Sequence, residues 1–210
     1  MPFFTEASFI DFLDQFRNQS RDNWEFYLKT DEFSIYRQPV LDKGLYRYRS
    51  IGIWDDIRPD TLAKVYLDLD YRKQWDKNME SYTLFDFEDE IATHFHMKYP
   101  WPLAHRDYTY IIENRIVIRD DKEYQVILGQ SLPLDCYPEQ KNVIRIDSYE
   151  QHICITSHYN GCCVLMDYFE DPKGNIPKSV VNWAAKTGVP TFMNNLKNAC
   201  QQSEKASFPL

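Results

Sequence analysis

The 210-residue chain carries a formal charge of −8 with 43% apolar and 27% charged residues. That balance suits one domain with a sizeable core and excludes a nucleic-acid partner, which would need surplus Lys and Arg to displace phosphate counterions. Aromatic content is high at 16%, with fifteen Tyr and thirteen Phe, and those rings must line something.

Phe9, Phe12, Leu13 and Phe16 recur at helical spacing behind Ser8, which predicts a short opening amphipathic helix capped by Ser8. The segment before it lacks the basic stretch of a signal peptide, and no apolar run reaches the ~18 residues of a membrane span. Five Cys without a Cys-x-x-Cys pair offer neither a disulfide framework nor a zinc spacing. The expectation is a cytoplasmic protein with reduced thiols.

Two strands, Phe33 to Val40 and Gly44 to Trp54, are expected around a Leu41-Asp42-Lys43 turn. From Pro59 the period changes to 3.6: Leu62, Val65, Tyr66 and Leu69 share one face, and a second short helix is expected over Tyr71 to Asp76. Strands then run from Ser81 to Asp171, interrupted at Pro100-Trp101-Pro102, Asp120-Asp121-Lys122, Pro133 to Gln140 and Tyr159-Asn160-Gly161. Turns this short make the sheet antiparallel. Beyond Asn175, Val180, Trp183, Ala184, Phe192, Leu196 and Ala199 mark a long closing helix that Gly188 and Pro190 should kink or divide. Periodicity alone supports an α+β class.

Arg72 and Asp76 stand four apart and are neighbours on a helix, where a solvated pair contributes only ~0.3–0.5 kcal/mol. Phe95, Tyr108 and Tyr149 fall in strands and read by themselves as core. Gln151 projects to the same side of its strand as Tyr149. His94 and His96, with His105 nearby, invite a zinc reading. Alternation opposes it, putting Ile91, Thr93, Phe95, Met97 and Tyr99 on the apolar face and leaving Ala92, His94, His96 and Lys98 outward, so no metal site is expected. No nucleophile elbow or Gly-rich phosphate loop supports catalysis, and no cofactor is implied. From Lys173 to Lys205 five Lys stand against one Glu. That local positive excess fits either an anionic membrane surface or a solvated helix face.

Five blocks in one order carry a resemblance: Asp70-Tyr71-Arg72-Lys73-Gln74-Trp75-Asp76, Lys98-Tyr99-Pro100-Trp101-Pro102, Arg106-Asp107-Tyr108, Ile144-Arg145-Ile146-Asp147-Ser148-Tyr149-Glu150-Gln151 and Asn182-Trp183-Ala184-Ala185-Lys186-Thr187-Gly188-Val189-Pro190. From about Trp24 to Gln201 the chain resembles the steroidogenic-acute-regulatory-related (START) lipid-transfer family. The resemblance implies one START domain over residues 1–210 with the helix-grip fold, a curved antiparallel sheet around a long C-terminal helix enclosing a lipid tunnel. In phosphatidylcholine-binding members the Arg at the position of Arg72 binds the lipid phosphate and the Asp at the position of Asp76 orients it. Tyr108 and Tyr149 match two rings of a choline cage, and Phe95 stands where those members carry Trp. Tyr66 and Gln151 align with polar contacts near the glycerol backbone and head group. Trp101, Leu103, Val189 and Phe192 fall at the gate beside the tunnel mouth, where the family contacts membranes.

The function so implied is an intracellular, monomeric carrier that holds one glycerophospholipid, phosphatidylcholine first, and exchanges it between membranes through transient contact, without catalysis. Alternatives are a lipid sensor acting through a protein partner, a carrier of phosphatidylethanolamine or ceramide, and an enzyme that uses the same cavity. Sterol fits worst, because Arg72 would be a buried charge without its phosphate.

Overall fold

The computed structural model describes residues 3–18, 22–41, 44–174, 176 and 184–207. Helix α1 (Glu6–Arg17) starts from Thr5, whose extended backbone lets Oγ1 accept from the Ser8 amide at 3.2 Å. The cap is therefore Thr5, and Ser8 lies inside the first turn. Phe9, Phe12 and Leu13 form its buried stripe, as their spacing predicts.

Strands β1 (Glu25–Lys29), β2 (Phe33–Val40) and β3 (Leu45–Trp54) precede helices α2 (Pro59–Leu67) and α3 (Leu69–Trp75). Seven strands follow: β4 (Met79–Phe87), β5 (Glu90–Met97), β6 (His105–Arg119), β7 (Lys122–Ser131), β8 (Val143–Ile146), β9 (Tyr149–His158) and β10 (Gly161–Glu170). They form one sheet in the order β1-β2-β3-β10-β9-β7-β6-β5-β4, with β8 beside β6. The pairing is antiparallel except for β8, which runs parallel to β6 with Val143 opposite His105 and Ile146 opposite Tyr108. This departs from the antiparallel sheet that short turns predict, because β8 is reached through the longer 132–142 connection. β1 was also missed. It is an edge strand with a register shift between Phe26 and Leu28 and no clean alternation of burial.

The sheet is covered on both faces. Met193, Leu196 and Cys200 of the closing helix pack with Ile127, Ile153 and Ile155 on one side. Phe9, Phe12 and Leu13 of α1 pack with Val126, Leu128 and Cys154 on the other. Two covered faces explain the uninterrupted apolar run Val126-Ile127-Leu128, where a half-solvated strand would alternate. Each such side chain contributes about 1.5–3 kcal/mol relative to leaving it exposed.

Coverage of the second face also corrects the reading of β5. Ile91 is exposed, Ala92 packs in the α1 cluster, and His94 is 3% exposed rather than outward. Tyr137, from the turn after β7, stacks on the His94 ring at 4.4 Å. His94 Nε2 lies 2.8 Å from Asp107 Oδ2, and Arg145 of β8 donates to both Asp107 oxygens at 2.9 Å. Burial would push the Asp107 carboxyl up, but the hydrogen bonds from His94 and Arg145 outweigh it and hold it at about 2.

Among the described residues the closing segment changes helix type beside Gly188 and Pro190, where a kink or division is expected. A π-helical turn, Ala184–Gly188, leads into α4 (Val189–Ser207), and Pro190 sits in the first turn of α4, where its missing N–H costs nothing. The expected helical positions Val180 and Trp183 lie outside the described residues. Among the described residues no helix is long and apolar enough to cross a membrane.

Candidate functional site

Helix α3 is capped by Asp68, whose Oδ1 accepts from the Tyr71 amide at 2.9 Å. The helix runs for seven residues and ends on Asp76, which sets Arg72 one turn before its partner. Arg72 Nε donates to Asp76 Oδ2 at 3.1 Å, while Asp76 Oδ1 accepts from the Asn78 amide at 3.1 Å. The side chains are 13% and 5% exposed, so the pair is buried rather than solvated.

Rings surround the guanidinium. Its Cζ lies 5.1 Å from the Phe95 centroid, 5.3 Å from Phe192, 5.7 Å from Tyr66 and 5.9 Å from Trp75. Burial works against the charge of Arg72. The facing Tyr66, Asp76, Tyr110 and Tyr149 more than offset it, so the group stays fully cationic. Its hydrogen bond to Asp76 uses only Nε, and the fork of terminal nitrogens remains suited to a second anion such as a phosphodiester.

The expected cage residues come together. Phe95 on β5 is directly opposite Tyr108 on β6, with ring centroids 6.3 Å apart, and Tyr108 meets Tyr149 of β9 edge-on at 5.4 Å. Tyr110 lies 5.5 Å from Tyr149 and 6.4 Å from Phe95, and Tyr168 lies 6.1 Å from Tyr149. These last two rings extend the cluster and were not singled out in the sequence. Spacing could have found Tyr110, two residues beyond Tyr108 and on the same strand face. Burial pushes the Tyr66, Tyr108, Tyr110 and Tyr149 hydroxyls up, so all four are neutral donors.

Tyr66 joins the same assembly, with interactions from its hydroxyl to Tyr149 and Arg72. Gln151 is buried too, but its amide nitrogen is committed to the Asp167 carbonyl of β10 at 2.9 Å.

The four residues expected at the gate divide. Val189 and Phe192 pack on the inner core, and the Phe192 ring lies 5.7 Å from Trp75. Leu103 is half-buried in a turn closed by its amide on the Pro100 carbonyl at 3.0 Å. Trp101 projects from the 98–104 loop at 93% exposure, and among the described residues no ring contact joins it to Phe192. Arg106 anchors that loop: it donates to the Pro172 and Lys173 carbonyls at 3.0 and 3.1 Å and to the Ala104 carbonyl, and its Cζ lies 4.4 Å from the Tyr99 ring. The positive excess of the closing segment is partly neutralised. Lys173 pairs with Asp147, and Lys197 pairs with Glu32 and Asp56.

The START domain family model matches residues 13–206. The chain belongs to the START domain family. It is 39% identical over 183 residues to the phosphatidylcholine transfer protein of Bos taurus, covering 87% of this chain and 86% of that protein. The mitochondrial StAR-related lipid transfer protein 7 of Mus musculus is 28% identical, with 84% of this chain and 48% of the relative covered. Among solved structures, human STARD10 superposes with a TM-score of 0.80 at 22% identity, over 99% of this chain and 84% of that one, which shows that the START fold is shared.

Proposed function

We propose that residues 1–210 act as one lipid-binding unit that carries a single glycerophospholipid, phosphatidylcholine before others, between membranes in the cytoplasm. The observation that carries this reading is the buried Arg72–Asp76 pair abutting the Phe95, Tyr108 and Tyr149 rings. A half-committed guanidinium beside a wall of neutral aromatics complements an anionic phosphodiester linked to a trimethylammonium. Such a cation has no N–H to donate and is best met by π-faces. The 39% identity to a phosphatidylcholine transfer protein supports the same ligand.

Carriage needs enclosure. At ~0.8 kcal/mol per buried methylene, two acyl chains amount to tens of kcal/mol, so lipid crosses water only when shielded from it. Entry then requires Phe192 and Val189 to move away while the exposed Trp101 loop meets the bilayer transiently. The carrier works as a monomer and leaves its ligand chemically unchanged.

Transfer of labelled phosphatidylcholine between protein-free donor and acceptor vesicles tests the reading. Transfer proportional to protein concentration, with lipid of unaltered mass recovered, is expected. Transfer only in the presence of a second protein would favour a sensor, and recovered lipid of changed mass would favour an enzyme.

A further inference from the structure

Glu170 ends β10, directly opposite Tyr149 in the β9–β10 ladder. Tyr108 Oη donates to its Oε2 at 2.5 Å and Tyr99 Oη to its Oε1 at 2.8 Å. The carboxylate is half-buried, yet among the described residues no basic side chain pairs with it. Its neighbours are treated differently. Asp76 has Arg72, Asp107 has Arg145, Asp147 has Lys173, Glu150 has Arg47 and Asp167 has Arg49. Arg106, which stacks on Tyr99, is committed to backbone carbonyls. A partly desolvated carboxylate without a cation is costly, and neutral hydroxyls offset that cost only in part.

We propose that Glu170 is the counter-charge for the cationic end of the lipid head group, a quaternary ammonium seated against Tyr108 and Tyr149. This deepens the glycerophospholipid reading and rests on it. Tyr149 lies within the field of both charges. After burial and its tyrosine neighbours, Arg72 draws its hydroxyl pKa down and Glu170 pushes it up. The site therefore presents a cation on one side and an anion on the other, the complement of a zwitterion. Both Glu170 oxygens already accept a tyrosine hydroxyl, so the residue offers charge more than open acceptor sites. A trimethylammonium needs only charge and ring faces, whereas a primary ammonium needs acceptors for three N–H groups. A carboxylate here also adds to Phe95, whose ring face attracts a cation less strongly than a Trp face would.

The competing role is a brace, since the Tyr99 bond ties the 98–104 loop to β10. Mixed vesicles holding equal phosphatidylcholine and phosphatidylglycerol separate the two roles, because the second lipid keeps the phosphodiester and replaces the cation with neutral glycerol. Protein-bound lipid is read by mass spectrometry. Wild type should favour phosphatidylcholine, and Glu170→Gln, which keeps an acceptor but loses the charge, should lower that ratio by roughly tenfold, the scale of one close charge contact. Tyr99→Phe removes the brace and keeps the charge, and should leave the ratio unchanged.

A folded Glu170→Gln protein with the wild-type ratio would overturn the proposal while leaving the carrier reading intact, and so would an equal shift in Tyr99→Phe. Should Glu170→Gln not fold, wild type decides: equal uptake of the two lipids overturns the proposal. Wild type that takes up neither lipid would overturn the carrier reading as well.

Discussion

Phe192 of α4 lies 5.3 Å from the Arg72 guanidinium carbon, so the closing helix covers the charged end of the candidate site directly. Residues 120 positions apart in sequence meet here, and the ring stands against the cation that a phosphate would engage. Phe192→Ala should therefore speed lipid exchange while lowering stability by roughly 2 kcal/mol, below the ~3–5 kcal/mol of a fully buried Phe because this one is only half-buried. Vesicle-exchange rates and denaturant midpoints check the two halves separately. A slower exchange would place the entry route elsewhere.

Phe95 touches both halves of the site, 5.1 Å from Arg72 and 6.3 Å from Tyr108. Phe95→Trp should raise phosphatidylcholine preference over phosphatidylethanolamine by about fivefold, since a difference of up to about 1 kcal/mol separates the two rings as cation receptors. The site is tightly packed, so the larger ring should also cost about 1–3 kcal/mol of stability. Unchanged head-group ratios in a folded variant would assign selectivity to the tyrosines and Glu170 alone.

The Asp107 knot predicts acid sensitivity. Its carboxyl pKa falls from the ~3.9 of an unfolded chain to about 2 in the fold, so the stability it supplies is complete above the unfolded value and is lost as pH falls through the folded one. Circular dichroism should show loss of structure between roughly pH 4 and pH 2. Asp107→Asn leaves Arg145 buried without its carboxylate and should cost about 3–5 kcal/mol at neutral pH, while flattening that acid limb. An unaltered acid limb in the variant would assign it to other carboxylates.

Lys186 and Lys197 should behave differently although both lie in the basic closing segment. Lys186 is exposed, and Lys186→Glu should slow transfer from anionic vesicles more than from neutral ones, with the difference shrinking as salt rises. Lys197 bridges Glu32 and Asp56, so Lys197→Glu sets three carboxylates together and should lower the melting temperature. Equal slowing of transfer on both vesicle types by Lys186→Glu would point to a purely apolar contact.

Local patterns carried much of the fold. Helix α1 follows from Phe9, Phe12 and Leu13, the start of α2 from Pro59, and the change of helix type in the closing segment from Gly188 and Pro190. Features set by distant chain escaped. His94 is buried because Tyr137 stacks on it, and no alternation within β5 could reveal that cover. The parallel pairing of β8 depends on a longer connection, and β1 is an edge strand without a clean period. In the site, the spacing of Arg72 and Asp76 was legible but their burial was not, because it depends on Phe95 and Phe192 arriving from other elements. Glu170 gave no signal at all. A carboxylate at a strand end is ordinary in sequence, and what sets it apart is that no basic side chain among the described residues pairs with it.

The central claim is that Arg72 holds a phospholipid, and native mass spectrometry of the protein after incubation with phosphatidylcholine vesicles tests it most directly. Wild type should carry one intact phosphatidylcholine per chain. Arg72→Lys keeps a cation for Asp76, and so avoids stranding that buried carboxylate, but lacks the planar fork and should lose most of the bound lipid while staying folded. A folded Arg72→Lys protein that retains phosphatidylcholine at wild-type occupancy, or wild type that carries a lipid without phosphate, would contradict the account.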